Sequence, residues 1–271
     1  MIFVSLALIL ALRLLGVRDW RCYCAAFLWS PVLIGVQTAN FTLLLAFGIA
    51  VAWHYKSRYV ICGIAVGVLL ALKLFLWPLL LWLLATRRNR ATFVAALTAV
   101  VLTASTWAVI GFAHIAEYLQ MVNRLVSLQE RDTYTPFAVL VKLGVPSASA
   151  HAIGYAIAVG SCVACVLVVR WNGPDSLGFL LAITASLLVN PLTWLHSFAL
   201  LLVPLAIVGP RFSWLWVLPV LLIACPARGD SLSLDLELFA VVSIFIGALV
   251  IRTIRLQRID GLVRSALPHA G

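Results

Sequence analysis

The chain has 271 residues, 64% of them hydrophobic and only 10% charged, and its mean hydropathy is +1.12. A soluble domain is nearer half apolar and a quarter charged, so this composition excludes a soluble globular domain, a disordered chain and a disulfide scaffold. The formal net charge of +10, from 19 Lys+Arg against 9 Asp+Glu, reports topology in so apolar a chain, through basic residues kept on the cytoplasmic side; no basic-aromatic surface or zinc-finger spacing points to nucleic acid.

Apolar runs follow one another at 2–17, 22–36, 41–53, 60–85, 91–112, 150–169, 177–189, 194–208, 212–225 and 236–251. They are continuous and do not alternate, which argues against an outer-membrane barrel. They predict an all-α, polytopic transmembrane helix bundle, a single integral-membrane domain over residues 1–271. No internal period repeats, so the chain is not a solenoid. The cysteines Cys22, Cys24, Cys62, Cys162, Cys165 and Cys225 all fall in or beside apolar runs. Cys162 and Cys165 share a helix face, but no His or second pair accompanies them, and they read as small packing residues. The outer acids show no metal-ligand spacing.

The run 60–85 decides the topology. It carries Lys73 near its middle and Pro78 soon after, so it reads either as one tilted span or as two short helices forming a re-entrant hairpin. As a hairpin, it leaves 14 basic residues inside, Arg124, Arg131, Lys142 and Arg228 outside, and Lys73 at the tip. As a single span it inverts everything before it and leaves nine on each side. The positive-inside rule selects the hairpin. The expected architecture is then about nine full spans plus the hairpin, with a cytoplasmic C-terminus and Met1 outside. Met1 opens directly on apolar sequence with no basic stretch before it. That parity leads to the expectation of an N-terminally truncated form of a longer protein, or else of a misassigned start or an unusual outer N-terminus.

Polar residues in such a chain mark functional sites by default, because an ionisable group inside a membrane is expensive. In chain order, Gln37 and Asn40 sit where the second span turns outside into the third. Their carboxamides suit sugar hydroxyls, and amides equally cap turns. Lys73 follows. At 1.5 Å per residue the hairpin tip rises roughly 20 Å from the cytoplasmic side, about two-thirds of a 30 Å core. A snorkelling lysine there reaches the outer headgroup zone and suits a lipid phosphate as a point charge. The competing reading pairs it with a buried acid or hairpin carbonyls, but no acid lies in the neighbouring spans. The one long polar loop, 113–149, carries Glu117, Arg124, Glu130, Arg131 and Asp132. The apolar residues Tyr118, Leu119, Met121, Val122, Leu125 and Val126 predict an amphipathic helix on the membrane surface, its charges a solvated face. Last comes the outer turn Asn190-Pro191-Leu192-Thr193-Trp194-Leu195-His196. A His and a Trp there would bind a phosphate and stack on a sugar, or simply serve as interfacial anchors. All these groups converge on one membrane face, which suggests an outward-facing site for a charged lipid.

These residues carry a resemblance. The segment from Gly63 through Gly67 and Lys73 to Pro78, followed by Arg87-Arg88-Asn89-Arg90, resembles a hallmark of glycosyltransferase family 87. These are multi-pass membrane enzymes of the GT-C superfamily. They include polyprenyl-phosphate-mannose-dependent alpha-(1-2)-mannosyltransferases acting on phosphatidylinositol mannosides. The stretch Pro31, Gly35, Gln37, Asn40 is similar to that family's Gly-Gln-x-Asn turn, with one residue inserted on each side of Gln37. Pro191 to His196 resembles its Pro-x-(Ser/Thr)-Trp-x-His motif closely. The resemblance implies a GT-C-like bundle in a bacterial plasma membrane. It implies that a polyprenyl-phosphate sugar donates its glycosyl group, mannose, with inversion to a lipid or glycan acceptor on the outer face. No cofactor is implied beyond that donor substrate. By the same resemblance, Lys73, Gln37, Asn40, Trp194 and Asn190 hold the donor phosphate and lipid, and His196 serves catalysis. An acid on the family's first outer loop normally deprotonates the acceptor. That loop precedes the matched region, so the expected general base is not in this chain, and Asp19 lies on the cytoplasmic side.

A transporter or flippase of a lipid-linked sugar would need polar residues at several depths, and here only Lys73 lies deep. A non-catalytic truncated scaffold is the third reading. The clustering on one face favours the enzyme.

Overall fold

The computed structural model describes residues 1–226, 229 and 231–266, so Arg228 lies outside the described residues. Those residues form helices and turns, with no strand among them. α1 (Ile2–Leu14) leads to α2 (Trp20–Leu28) and α3 (Ser30–Gln37). The apolar run 22–36 is therefore not one straight helix. Trp29 is extended, and Pro31 opens α3, because proline has no N–H to continue a preceding helical ladder. α3 and α4 (Thr42–His54) meet at 116°.

α5 (Tyr59–Leu72) ends at Lys73, whose backbone is extended at φ −149° and ψ 99°. A short 3-10 turn, Leu74–Leu76, follows, and Pro78 opens α6 (Pro78–Ala85). The chain then comes back to where α5 began. Lys56, before α5, and Arg88, after α6, both bond the Asp175 carboxylate, at 2.8 Å and 2.9 Å. The run 60–85 is thus a helical hairpin whose two feet meet, and not one continuous helix.

α7 (Asn89–Ile110) then runs beside α5 in the same direction. A Cβ at Gly63 would lie 2.6 Å from the Val94 Cβ and 2.7 Å from the Ala91 carbonyl oxygen. A Cβ at Gly67 would lie 2.5 Å from the Thr98 Cβ and 2.6 Å from the Ala95 oxygen. Two glycines one helical turn apart thus let the two backbones touch, the small-residue packing that stands in for hydrophobic association inside a membrane. The rest of α7 buries little beyond Ala91 and Ala95.

α8 (Ile115–Gln129) is the amphipathic helix of the long loop, and none of its residues is buried. α9 (Pro136–Lys142) follows, capped by the Thr135 hydroxyl, which accepts the Ala138 N–H at 3.2 Å. Beyond it come α10 (Ser147–Arg170), α11 (Asp175–Val189), a 3-10 segment Leu195–Leu201, α12 (Leu202–Val208), α13 (Trp214–Val217), a second 3-10 segment Leu218–Ala224, and α14 (Leu232–Ala266).

Among the described residues, three helices are long and apolar enough to cross a membrane: Asn89–Ile110, Ser147–Arg170 and Leu232–Ile259; α3 and α4 taken as one bent pair make a fourth. The expectation of about nine full spans rests on the apolar runs and not on helix length. Several runs are bent or wound as 3-10 helix, which rises about 2.0 Å per residue against 1.5 Å for α-helix.

The turns sort to two ends. At one end the basic residues gather. The Arg21 guanidinium lies over Phe212 at 5.2 Å, Arg252 donates to the Ser213 hydroxyl at 3.3 Å, and Gln257 donates to the Asn172 carbonyl at 3.1 Å. Asp175 anchors this end. Besides Lys56 and Arg88 it accepts the Trp82 indole N–H at 2.8 Å. Burial pushes its carboxyl up, but the hydrogen bonds and charges of Arg88 and Lys56 outweigh that and hold it below its ordinary value.

At the opposite end the long loop folds over two other turns. The Tyr134 N–H donates to the Thr193 carbonyl at 2.7 Å, and its hydroxyl donates to the Pro226 carbonyl at 2.8 Å. The Gly229 N–H donates to the Asp132 carbonyl at 3.0 Å. Lys142 ties α9 to α14 by donating to the Gly229 carbonyl at 2.7 Å and pairing with the buried Asp235. Between the two ends, buried tryptophans carry the core and satisfy their own polar atoms. The Trp29 indole donates to the Trp216 carbonyl at 2.8 Å, and that of Trp216 donates to the Gly209 carbonyl at 2.9 Å. No water is at hand in such a core, so these bonds have to be internal. Cys165 packs in the same spirit, its thiol donating to the Gly178 carbonyl at 3.2 Å.

Candidate functional site

The site is built at the end opposite the basic turns. Lys73 is there because the α5 ladder stops at an extended residue and the hairpin turns on it. Its side chain is exposed and makes no ion pair with any described residue. It lies within electrostatic range of the His196 ring. Residues 123 apart in sequence thus share one site, across the hairpin and the 190–194 turn.

His196 is half-buried in the first turn of the 3-10 segment. Its ring meets the edge of Trp194 at 5.7 Å between centroids, with the planes 74° apart. The turn that presents it is held from inside. The buried Thr193 hydroxyl lies 2.8 Å from the Leu187 carbonyl and 3.2 Å from that of Asn190, and its own carbonyl receives the Tyr134 N–H. Placing Thr193 as a fastener explains why a hydroxyl residue precedes Trp194.

The amides divide. The Asn190 carboxamide oxygen accepts the Leu192 N–H at 3.3 Å and its amide nitrogen donates to the Leu192 carbonyl at 3.2 Å. The Asn40 oxygen accepts the Thr42 N–H at 2.9 Å and the Thr42 hydroxyl at 2.8 Å, at the start of α4. Both are turn builders, the local role such side chains take wherever a backbone N–H lies two residues on. Gln37, the last residue of α3, is exposed. α3 packs along the 3-10 segment that begins beside His196. Ala39 between the two amides has φ +49°, a left-handed backbone at a non-glycine residue. Lys73, His196 and Trp194 therefore share one end, while Asn40 and Asn190 serve their own turns.

Glu130, read from the sequence as part of a solvated face, and His151, not singled out there, join this end. The Glu130 carboxylate, just past α8, lies 3.7 Å from the His151 imidazole on α10, and their side chains are 21% and 39% exposed. His151 stacks on Phe137, with ring centroids 3.9 Å apart and planes 17° from parallel. The pair borders a cavity of about 280 Å³ that Trp77, Tyr155, Asn190 and Pro191 also line. Trp77 is one turn beyond Lys73, and Asn190 opens the turn that carries His196. Nothing in the spacing of Glu130 and His151 signals this contact, because it is made between a loop and a separate helix.

A second cleft of about 660 Å³ lies between α9, α10, α11 and α14. Its walls are apolar, with Val139, Leu140, Ile157, Leu187 and Val242 among them. Pro136 and Leu188 line both cavities, so the two share a wall. No group of three or more His, Cys, Asp or Glu side chains able to hold a metal ion occurs among the described residues.

The family model of glycosyltransferase family 87 matches residues 1–197, which takes in the hairpin, the long loop and the Trp-x-His turn. No curated protein and no solved structure matches the chain.

Proposed function

The chain belongs to glycosyltransferase family 87, and from that membership we propose that it transfers a sugar, mannose, from a polyprenyl-phosphate donor to a hydroxyl of a lipid or glycan acceptor on the outer face of a bacterial plasma membrane. The observation that carries this reading is Lys73. It is an exposed ammonium with no ion pair among the described residues, held at the turn of a hairpin and within electrostatic range of His196.

A phosphodiester bridging lipid and sugar is the anion that suits this place, since a compact cation binds it as a point charge. Trp194 offers a face for the sugar, and Gln37 offers donors and an acceptor for its hydroxyls. The apolar cleft beside the site suits an isoprenoid tail. In the reaction the acceptor oxygen attacks the anomeric carbon, the bond from that carbon to the phosphate oxygen breaks, and polyprenyl phosphate leaves. Lys73 and a His196 N–H stabilise the charge that collects on the leaving phosphate, where a fixed donor counts most. The donor brings its own activated bond, so neither nucleotide nor metal takes part in this scheme.

The experiment is sugar transfer from polyprenyl-phosphate-mannose to membrane acceptors, wild type against His196→Ala. The expected loss is at least about tenfold, roughly 1.4 kcal/mol of barrier. Unchanged turnover at normal membrane abundance would leave His196 an interfacial residue, and transfer from a nucleotide sugar alone would overturn the donor class.

In this reading the basic end and the C-terminus face the cytoplasm. Cysteines placed at Ser57, in the α4–α5 turn, and at Ser127, on α8, report the orientation. Cys24 is the exposed native thiol, so the background is Cys24→Ser. A membrane-impermeant thiol reagent should label Ser127→Cys in intact cells and Ser57→Cys only after the cells are opened. Labelling of Ser57→Cys in intact cells would reverse the orientation.

A further inference from the structure

The basic end of the hairpin carries more than the Asp175 network. The turn before α5 and the turn after α6 enclose a cleft of about 450 Å³. Its cations are Lys56, Arg87, Arg88 and Arg90, and Ser57, Tyr59 and Asn89 complete its polar wall. Among the described residues, no Asp or Glu lines it. Basic residues are expected at this end on topological grounds alone. Topology does not ask that four of them, from two separate turns, close around one cleft.

The four are not equally committed. Arg88 gives both of its terminal nitrogens to Asp175, at 3.1 Å and 2.9 Å, and Lys56 bonds the same carboxylate at 2.8 Å. One carboxylate thus answers two cations, and a positive charge is left over. Arg87 and Arg90 are exposed and form no ion pair with any described residue. Arg90 lies over the Tyr59 ring, 6.0 Å from its centroid, so the two walls approach each other there. Arg87 has φ +57°, a left-handed backbone that glycine adopts freely and arginine only at a cost. This turn caps α6: the Arg88 N–H donates to the Leu83 carbonyl at 2.9 Å, and the Arg87 N–H to that of Leu84 at 3.0 Å. The cap asks for that backbone and gives no reason for an arginine, whose guanidinium is left for a ligand.

Beyond the cleft the surface turns apolar. Arg90 opens a face of α7 that continues through Phe93, Leu97 and Val101, spaced by three or four residues and all exposed. A ligand that fits both features is an amphiphile with an anionic head and apolar chains. Arginine suits phosphate, because its planar fork gives paired donors and its charge is permanent. The Ser57 and Tyr59 hydroxyls and the Asn89 carboxamide suit head-group hydroxyls. A soluble phosphate would leave the apolar face unused.

We propose that this cleft binds an anionic phospholipid of the adjoining leaflet. Arg87 and Arg90 hold its phosphate, Lys56 and Arg88 reinforce the field, and an acyl chain lies along Phe93, Leu97 and Val101. The site is at the far end of the hairpin from Lys73. Its occupant bridges the turns at the two feet, so binding stabilises the folded hairpin by mass action. Membrane composition thereby controls how firmly the feet are held.

The test uses the full chain in neutral detergent, with phosphatidylglycerol as the probe and phosphatidylcholine of the same acyl chains as the zwitterionic control. Native mass spectrometry reads the retained lipid, and thermal unfolding reads the stabilisation. Wild type should retain phosphatidylglycerol over phosphatidylcholine and melt higher with it. Arg87→Gln/Arg90→Gln should lose at least about tenfold in phosphatidylglycerol affinity, the scale of a hydrogen bond to a charged group. It should melt as wild type does in phosphatidylcholine, since neither arginine pairs with a described acid. Arg87→Lys/Arg90→Lys keeps the charge, loses the fork and should be intermediate. Arg255→Gln/Arg258→Gln removes the same charge from α14 at the same end, on either side of the Gln257 that bonds Asn172, and should leave binding unchanged. Equal loss in the two glutamine pairs would overturn the site in favour of diffuse attraction to the basic end. Wild type that retains the two lipids equally would overturn it whatever the variants do. Glycerol phosphate supplies the head group without chains, and equal stabilisation by it at the same concentration would overturn the lipid in favour of a soluble phosphate.

Discussion

Asp175→Ala should destabilise the protein by roughly 3 kcal/mol, the low end of the cost of breaking a buried ion pair. The low end applies because the Lys56, Arg88 and Asp175 side chains keep 32%, 24% and 28% of their surface exposed. Removing the carboxylate strands two cations and the Trp82 indole N–H at once. It also unties the two feet of the hairpin, since Lys56 precedes α5 and Arg88 follows α6. Asp175→Asn keeps an acceptor for Trp82 and should fall between. The measurement is thermal unfolding of the purified protein, followed over pH. The carboxyl is held below its ordinary value, so its contribution is present above the unfolded aspartate range, near pH 3.9, and is lost as pH falls through the lowered folded value. Wild type and Asp175→Ala should therefore differ at neutral pH and converge in acid. Equal melting at neutral pH would show that the network does not hold the hairpin.

Lys73→Met should weaken binding of polyprenyl phosphate by about 1.5–3 kcal/mol, the scale of a hydrogen bond to a charged group. Methionine keeps the length and the apolar stem and removes the charge. Folding should survive, because no described residue pairs with Lys73 and its loss strands no partner. Lys73→Arg should be intermediate, since a planar fork does not reproduce a compact point charge. Titration of the purified protein with a polyprenyl phosphate reads the difference. Equal affinity in wild type and Lys73→Met, or loss of affinity together with loss of the folded protein, would leave Lys73 a structural residue of the turn. The Lys73 and Asp175 predictions address opposite ends of the hairpin. The basic foot is a matter of stability, the tip a matter of ligand.

Several features were legible from the residues alone. The hairpin followed from the charge count around the run 60–85 together with Lys73 and Pro78. The structure returns the chain to Asp175 as that count required, because basic residues stay on one side of a membrane wherever the apolar runs are cut. The amphipathic helix of the long loop was read from its apolar spacing, and Ile115–Gln129 is its extent. The turn before His196 stood out by its Asn-Pro start and its Trp-x-His end. The run 22–36 was read as one span, and it breaks at Trp29, where proline dictates geometry that hydropathy does not register.

The amides and the acid-imidazole pair mark the boundary. A carboxamide in an apolar turn reads the same whether it holds a sugar hydroxyl or caps its own backbone. Only the folded structure shows Asn40 bonded to Thr42 and Asn190 to Leu192. Glu130 was one charge among five in a polar loop, and His151 one residue near the start of a helix. Sequence by itself determined which runs are apolar enough for lipid, that the cations share one end and where the chain must turn, because transfer cost and helical period act on each residue locally. Which polar groups meet was decided by the tertiary structure. Lys73 comes within electrostatic range of His196, Glu130 reaches His151, and Tyr134 locks the loop to Thr193 through helices packed side by side, and such proximities depend on how the helices are arranged and leave no period in the chain.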